Sequence, residues 1–152
     1  MISKKAKYGL KAMLRLARDY GRGPVLIADL AAEEGIPRKF LEFILLELKQ
    51  KGMLQSKKGK GGGYLLARRP EEITAGSVLR ALGGALTPVP CVGDPRAAPC
   101  DECKDAAACR IRLLMAEVDE ATTSILDAAT LDEMNHRGES ASRRPTLQRY
   151  HI

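Results

Sequence analysis

The stretch Ile27-Ala28-Asp29-Leu30-Ala31-Ala32-Glu33-Glu34-Gly35-Ile36-Pro37-Arg38-Lys39-Phe40-Leu41-Glu42-Phe43-Ile44 decides the fold. Counted from Ile27, apolar residues fall at the first and fourth places, Ala31 at the fifth, Gly35 at the ninth, and Ile36, Leu41 and Ile44 at the tenth, fifteenth and eighteenth. A small Ala31 lets two helices approach, and Gly35 accepts a turn conformation that a Cβ penalises. The spacing predicts a short helix over 28–34 ended by Gly35. A further helix follows with Pro37 at its first position and an apolar stripe of Phe40, Leu41, Ile44, Leu45 and Leu48 running towards Gly52. Two short helices meeting at such a turn form a helix-turn-helix, or an ordinary helical hairpin built on the same glycine logic.

The flanking sequence separates these readings. Downstream, Leu54 to Lys58 and Tyr64 to Arg68 read as two strands joined by Gly59-Lys60-Gly61-Gly62-Gly63, a hairpin with a flexible basic tip. That glycine run lacks both a Gly-Lys-Ser/Thr ending and a following helix, which argues against a phosphate-cradling loop. Upstream, Ser3 caps a helix carrying Tyr8, Met13, Leu16 and Ala17 near helical spacing until Gly21 and Gly23. Val25-Leu26-Ile27 forms a short apolar run ahead of the second helix. A helix-turn-helix followed at once by a basic β-hairpin is a winged helix. The expected fold class is therefore mainly α with a small β-wing: a winged helix-turn-helix plus a long dimerisation helix.

The remaining chain supplies that last element. Thr74 caps a short helix over 75–82, which leads through Gly83, Gly84, Pro88 and Pro90 into a cysteine-containing loop. From Ile111 the sequence is a long helix in which Ile111, Val118 and Ile125 lie seven apart with Leu114, Ala121 and Ala128 between them, a seam of period 3.5. Leu114, Met115, Val118, Ile125 and Leu126 exceed what the small N-terminal domain needs, so the seam points to a homodimer. The expected organisation is a winged-helix domain over 1–84, a cysteine loop over 85–109, a dimerisation helix over 110–134 and a flexible polar tail over 135–152.

Charge identifies the partner class. Of the 152 residues, 1–70 carry 16 Lys and Arg against 6 Asp and Glu, and 71–152 carry 9 against 13. A net +10 in the first part and −4 in the second place the basic surface on the winged helix, the footprint of a polyanion-binding face. Six aromatics are too few for rows of base-stacking rings, which leaves double-stranded DNA as the leading partner. Arg38, Lys39 and Phe40 sit where a recognition helix enters the major groove, and Glu42 can accept from cytosine N4. Lys57, Lys58, Lys60 and Gly61 belong to the wing, where generic phosphate attraction is the simpler role; Phe40 equally suits core packing. No apolar run exceeds four residues, so no membrane span is expected, and the charged N-terminus lacks a secretory signal. A cytoplasmic location follows as an expectation.

Several of these segments together carry a resemblance. Ser3-Lys4-Lys5-Ala6-Lys7-Tyr8-Gly9-Leu10, Ile36-Pro37-Arg38-Lys39-Phe40-Leu41-Glu42, Lys58-Gly59-Lys60-Gly61-Gly62-Gly63-Tyr64-Leu65-Leu66 and Ile73-Thr74-Ala75-Gly76 resemble the IscR/NsrR/CymR (Rrf-two) family of bacterial transcription regulators over roughly residues 1–134. The resemblance implies a dimeric winged-helix regulator on a palindromic operator. Some family members hold an iron–sulfur cluster in the cysteine loop and others hold none.

The cysteines are spaced Cys91-x8-Cys100-x2-Cys103-x5-Cys109. Against the family pattern, Cys91, Cys103 and Cys109 occupy the three usual cysteine places and Cys100 is extra. The non-cysteine ligand of relatives is a His shortly after the last cysteine or an acidic residue near the N-terminus; here Arg112 and Tyr8 stand at those places. Cys100 is then the natural fourth ligand. Four soft thiolates suit a two-iron or four-iron cluster, or a tetrahedral zinc ion, although structural zinc usually takes two Cys-x2-Cys knuckles and this chain has one. Reactive thiols without metal are the third reading. Cys100-Asp101-Glu102-Cys103 also admits a thiol oxidoreductase, but the βαβ setting that tunes such thiols is missing, so no enzyme is expected.

Overall fold

Ser3 accepts a hydrogen bond from the Ala6 amide at 3.1 Å and starts α1, Lys4–Arg18, whose Ala6, Gly9, Ala12, Met13, Leu16 and Ala17 are buried. In this computed structural model residues 2–83, 86–93, 100 and 105–142 are described. Helix α2, Ile27–Glu34, ends at Gly35 in the left-handed region, φ 63° and ψ 39°. The turn closes when the amide of Ile36 donates to the Ala31 carbonyl at 3.0 Å, which sends Ile36 into the core. Helix α3, Arg38–Gln50, begins one residue later than expected. Pro37 is its N-cap, with ψ 124° and its carbonyl already accepting from the Leu41 amide.

The hairpin pairs β1, Leu54–Lys57, antiparallel with β2, Gly63–Leu66, in the register Leu54 to Leu66 and Lys57 to Gly63. Both strands are shorter than the sequence suggested, so Lys58 and Arg68 lie beyond them. The wing has an anchor that the sequence reading did not include: Val25 and Tyr64 exchange backbone hydrogen bonds, each of 2.9 Å. Gly63 allows that closeness, since a Cβ there would sit 2.2 Å from the Val25 carbonyl oxygen.

A single 3-10 turn, Pro70–Glu72, precedes α4, Ala75–Ala81, where Thr74 and Ser77 form a reciprocal capping box. Met13, Leu30, Leu41, Ile44, Leu45, Leu48, Ile73, Val78 and Leu79 form one core shared by these helices and the base of the wing. Each such side chain contributes roughly 1.5–3 kcal/mol by leaving water.

The C-terminal region departs from expectation. The helix expected over 110–134 is two helices, α5 Arg110–Ala128 and α6 Leu131–Ser142, and α6 extends through residues expected as tail. The break has a local cause. The Ala75 amide donates to Ala129 at 2.8 Å and the Leu131 amide to Ile73 at 2.9 Å, so the chain crosses α4's start as an extended segment. Thr130 Oγ1 then caps α6 by accepting from Glu133, and Leu131 is fully buried. Asn135 fastens α6 to α1 by donating to the Leu14 carbonyl at 3.1 Å. Of the expected seam, Ile111, Leu114, Val118 and Ile125 are exposed, whereas Leu126 packs against the core. Among the described residues, no helix is long and apolar enough to cross a membrane.

Candidate nucleic-acid interface and cysteine segment

Two basic features project from the winged helix: the first turn of α3 and the tip of the hairpin. Arg38, Lys39 and Glu42 are exposed in that turn, and Arg38 Nε lies 3.3 Å from Glu42 Oε1. The pair orients the carboxylate along the helix while leaving its second oxygen open to a donor. Phe40 is 37 % exposed and meets Tyr8 edge to face, with ring centroids 5.8 Å apart. It therefore packs and borders the surface at once. Lys4 Nζ lies 5.8 Å from the centroid of the Tyr8 ring and Lys5 pairs with Glu47 at 2.6 Å, so α1 braces α3.

The wing is braced from its other side. Lys49 Nζ, on α3, donates to Ser56 Oγ at 2.6 Å. At the tip, Gly59 and Gly61 have φ 89° and 73°, conformations that hold Lys58 and Lys60 outward. Gly62 allows the tip to fold back, since a Cβ there would lie 2.3 Å from the Lys57 carbonyl oxygen. Lys39, Lys57, Lys58 and Lys60 make no ion pair among the described residues. Elsewhere on the domain, Arg15 bridges Glu33 and Asp19 between α1 and α2. Its guanidinium holds the Glu33 carboxyl below the usual carboxylate range.

Helix α3 also exposes two apolar residues outside the expected stripe, Phe43 at 72 % and Leu46 at 48 %. Their helical phase was the available signal, because both lie opposite Leu41, Ile44, Leu45 and Leu48.

Of the four cysteines, Cys91 and Cys109 are half-buried and Cys100 is exposed; Cys103 lies outside the described residues. Among the described residues, no three His, Cys, Asp or Glu side chains gather closely enough to hold a metal ion. The thiolate donor chemistry suits a soft metal, and the ends of the segment are drawn together. Arg112, on the first turn of α5, donates from Nε to the Cys91 carbonyl at 3.2 Å and from Nη1 to the Ala106 carbonyl at 3.3 Å. Asp105 accepts from the amides of Ala107 and Ala108, turning the chain towards Cys109. Arg112, unsuited as a ligand, thus spans the segment's two ends.

Residues 2–137 match the profile of the Rrf2 family, described as iron-dependent transcriptional regulators. The chain belongs to the Rrf2 family. Among relatives, an rrf2-like HTH-type transcriptional regulator of Rhodobacter capsulatus is 38% identical over 94% of this chain and 97% of its own. The structure of CymR, the global cysteine regulator of B. subtilis, superposes with a TM-score of 0.75 at 31% identity, covering 90% of this chain and 97% of CymR. That of T. potens IscR also gives 0.75, at 28% identity over 96% and 93% of the two chains. This Rrf2-family member is a winged-helix transcriptional regulator and not an enzyme.

Proposed function

We propose that this regulator is a cytoplasmic homodimer that binds double-stranded DNA at a palindromic operator and is controlled through its cysteine segment. Arg38, Lys39 and Phe40 enter the major groove with the first turn of α3, and Glu42 accepts from a cytosine. Lys57, Lys58 and Lys60 contact phosphate from the wing, where Gly61, at φ 73°, supplies the left-handed turn of the tip. The observation that carries this reading is that Lys39 on α3 and Lys57, Lys58 and Lys60 on the wing are exposed and make no ion pair among the described residues, on two elements braced to one another. Facing apolar seams on α5 supply the dimer contact.

Control is assigned to an iron–sulfur cluster held by Cys91, Cys100, Cys103 and Cys109. Support comes from the thiolate donor set, the Arg112 bridge between the ends of the segment and the iron dependence of the family. When bound, such a cluster supplies a redox-sensitive core crosslinking the segment. A metal-free thiol sensor is the second reading, favoured by the exposure of Cys100 and the likeness to a cysteine regulator.

Anaerobic purification followed by iron, sulfide and zinc analysis and a visible spectrum tests the assignment. Iron with matching sulfide and visible absorbance is the expected result; stoichiometric zinc, or colourless metal-free protein, overturns it. Cys100→Ser tests the fourth ligand and is expected to give a cluster lost faster in air than in wild type. Unchanged iron content, spectrum and air stability in that variant remove Cys100 from the ligand set.

A further inference from the structure

The outward stripe of α3 carries chemistry that charge pairing and hydrogen bonding do not account for. Lys39, Phe43, Leu46 and Gln50 fall within roughly 60° of arc at 3.6 residues per turn, opposite the buried face of the helix. Two aromatic residues on this helix meet different fates. Phe40 spends one edge on Tyr8, whereas Phe43, with 72 % of its surface in water, has no ring partner among the described residues. A single exposed apolar side chain is ordinary. Here Leu46 extends the patch by one turn, on the helix that the preceding reading places in DNA.

We propose that Phe43, backed by Leu46, reads the C5-methyl group of a thymine in the major groove. The inference rests on α3 being the helix that enters DNA, and it names a specificity contact beyond those assigned to Arg38, Lys39 and Glu42. Charge selects the occupant of the patch. Both acidic neighbours of Phe43 are occupied by bases, Glu42 by Arg38 at 3.3 Å and Glu47 by Lys5 at 2.6 Å, while Lys39 projects unpaired beside it. An apolar patch with its acids neutralised and a free cation at its shoulder suits a polyanion that itself presents an apolar group. In the major groove the thymine methyl is that group. Phe43 has no donor or acceptor, so it discriminates by contact with a methyl alone. Glu42, by contrast, requires a cytosine donor. The two residues are adjacent in sequence and about 100° apart around the helix, which points them at neighbouring base pairs.

The test removes the methyl and nothing else. The full chain selects its preferred duplex from a random-sequence pool, and that duplex is then synthesised with each dT replaced in turn by dU. At one or more positions the replacement should weaken wild-type binding about fourfold, the worth of one buried methyl-sized group. Phe43→Ala should bind the dT and dU forms of that site alike, and Phe43→Leu should retain part of the difference. Lys60→Ala should weaken both forms equally and keep the wild-type ratio. Because Phe43 is exposed, its loss leaves the core intact, and circular dichroism verifies folding of each variant. Equal wild-type binding to every dU duplex overturns the proposal, as does an unchanged dT/dU ratio in Phe43→Ala; either outcome leaves DNA recognition by α3 standing and gives the patch to another partner. Failure to recover any preferred duplex overturns the DNA reading and this contact with it.

Discussion

In the proposed recognition of DNA, Glu42 and the wing lysines divide the work between information and attraction. Lys58 and Lys60 have no acidic partner among the described residues, so each contact with phosphate releases a counterion without distinguishing bases. Lys58→Ala and Lys60→Ala should weaken every duplex alike and lower the slope of log affinity against log salt. Glu42→Ala should relax preference at one base pair by roughly 1 to 3 kcal/mol. It also frees Arg38 from its 3.3 Å partner, so general affinity should hold or rise while discrimination falls. Binding-site selection with the variant checks this, and an unchanged preference removes Glu42 from base reading. A second prediction concerns acid. Arg15, through a hydrogen bond, holds the Glu33 carboxyl below its usual range, so the pair stabilises the fold fully above the unfolded carboxylate value, about 4.3. That contribution is lost as pH falls through the lower, folded value. Glu33→Gln should therefore be less stable than wild type near neutrality, and urea titrations should show the gap closing below about pH 4.

At the scale of elements, α6 stands out because its attachment was hidden in the sequence. Leu131 is fully buried beneath α1 and the 3-10 turn, with Ile73 bonding its amide. Leu131→Ala should cost roughly 2 to 5 kcal/mol in urea denaturation, whereas a mobile tail would register nothing. The signal for this helix was present in Thr130-Leu131-Asp132-Glu133, a cap followed by acidic residues in the first turn, but the heptad seam running up to Ala128 masked it. Elements with local signals were legible: Ser3 and Gly35 mark their helix boundaries, and the glycine run marks the wing. What depends on distant pairing was not. Val25 joins Tyr64 only because the chain folds back, and no pattern of period two announces a single bridged residue. The candidate site was legible in the same way. Lys39, Glu42 and the wing lysines declare themselves by charge, whereas Phe43 reads as another apolar helix residue until the core shows which face is full. Arg112 acts through backbone carbonyls, which leave no trace in residue type.

For the whole molecule, the proposed homodimer rests on α5. None of its residues is buried in the single chain, and Ile111 and Ile125 are 67 % and 68 % exposed at its two ends. Val118→Asp should therefore leave each protomer folded but place an unpaired carboxylate in the seam between copies. Sedimentation should show wild type as a dimer and the variant as a monomer; a dimeric variant excludes α5 from the interface. Single-site DNA affinity should fall far less than affinity for a two-site duplex, since each winged helix survives while the linkage is lost.

The bridge between Thr74 and Thr130 has a mechanical consequence. It pins α5 at its C-terminal end, where Asp127 also meets Arg80, while the other end carries Cys109 and the Arg112 contacts. At 1.5 Å per residue, the 19 residues between make a lever of roughly 28 Å. A swing of about 5° at the pinned end displaces the cysteine end by roughly 2.5 Å over such an arm. By the same geometry, a displacement of Cys109 would be felt at the fulcrum beside Ile73 and the start of α4.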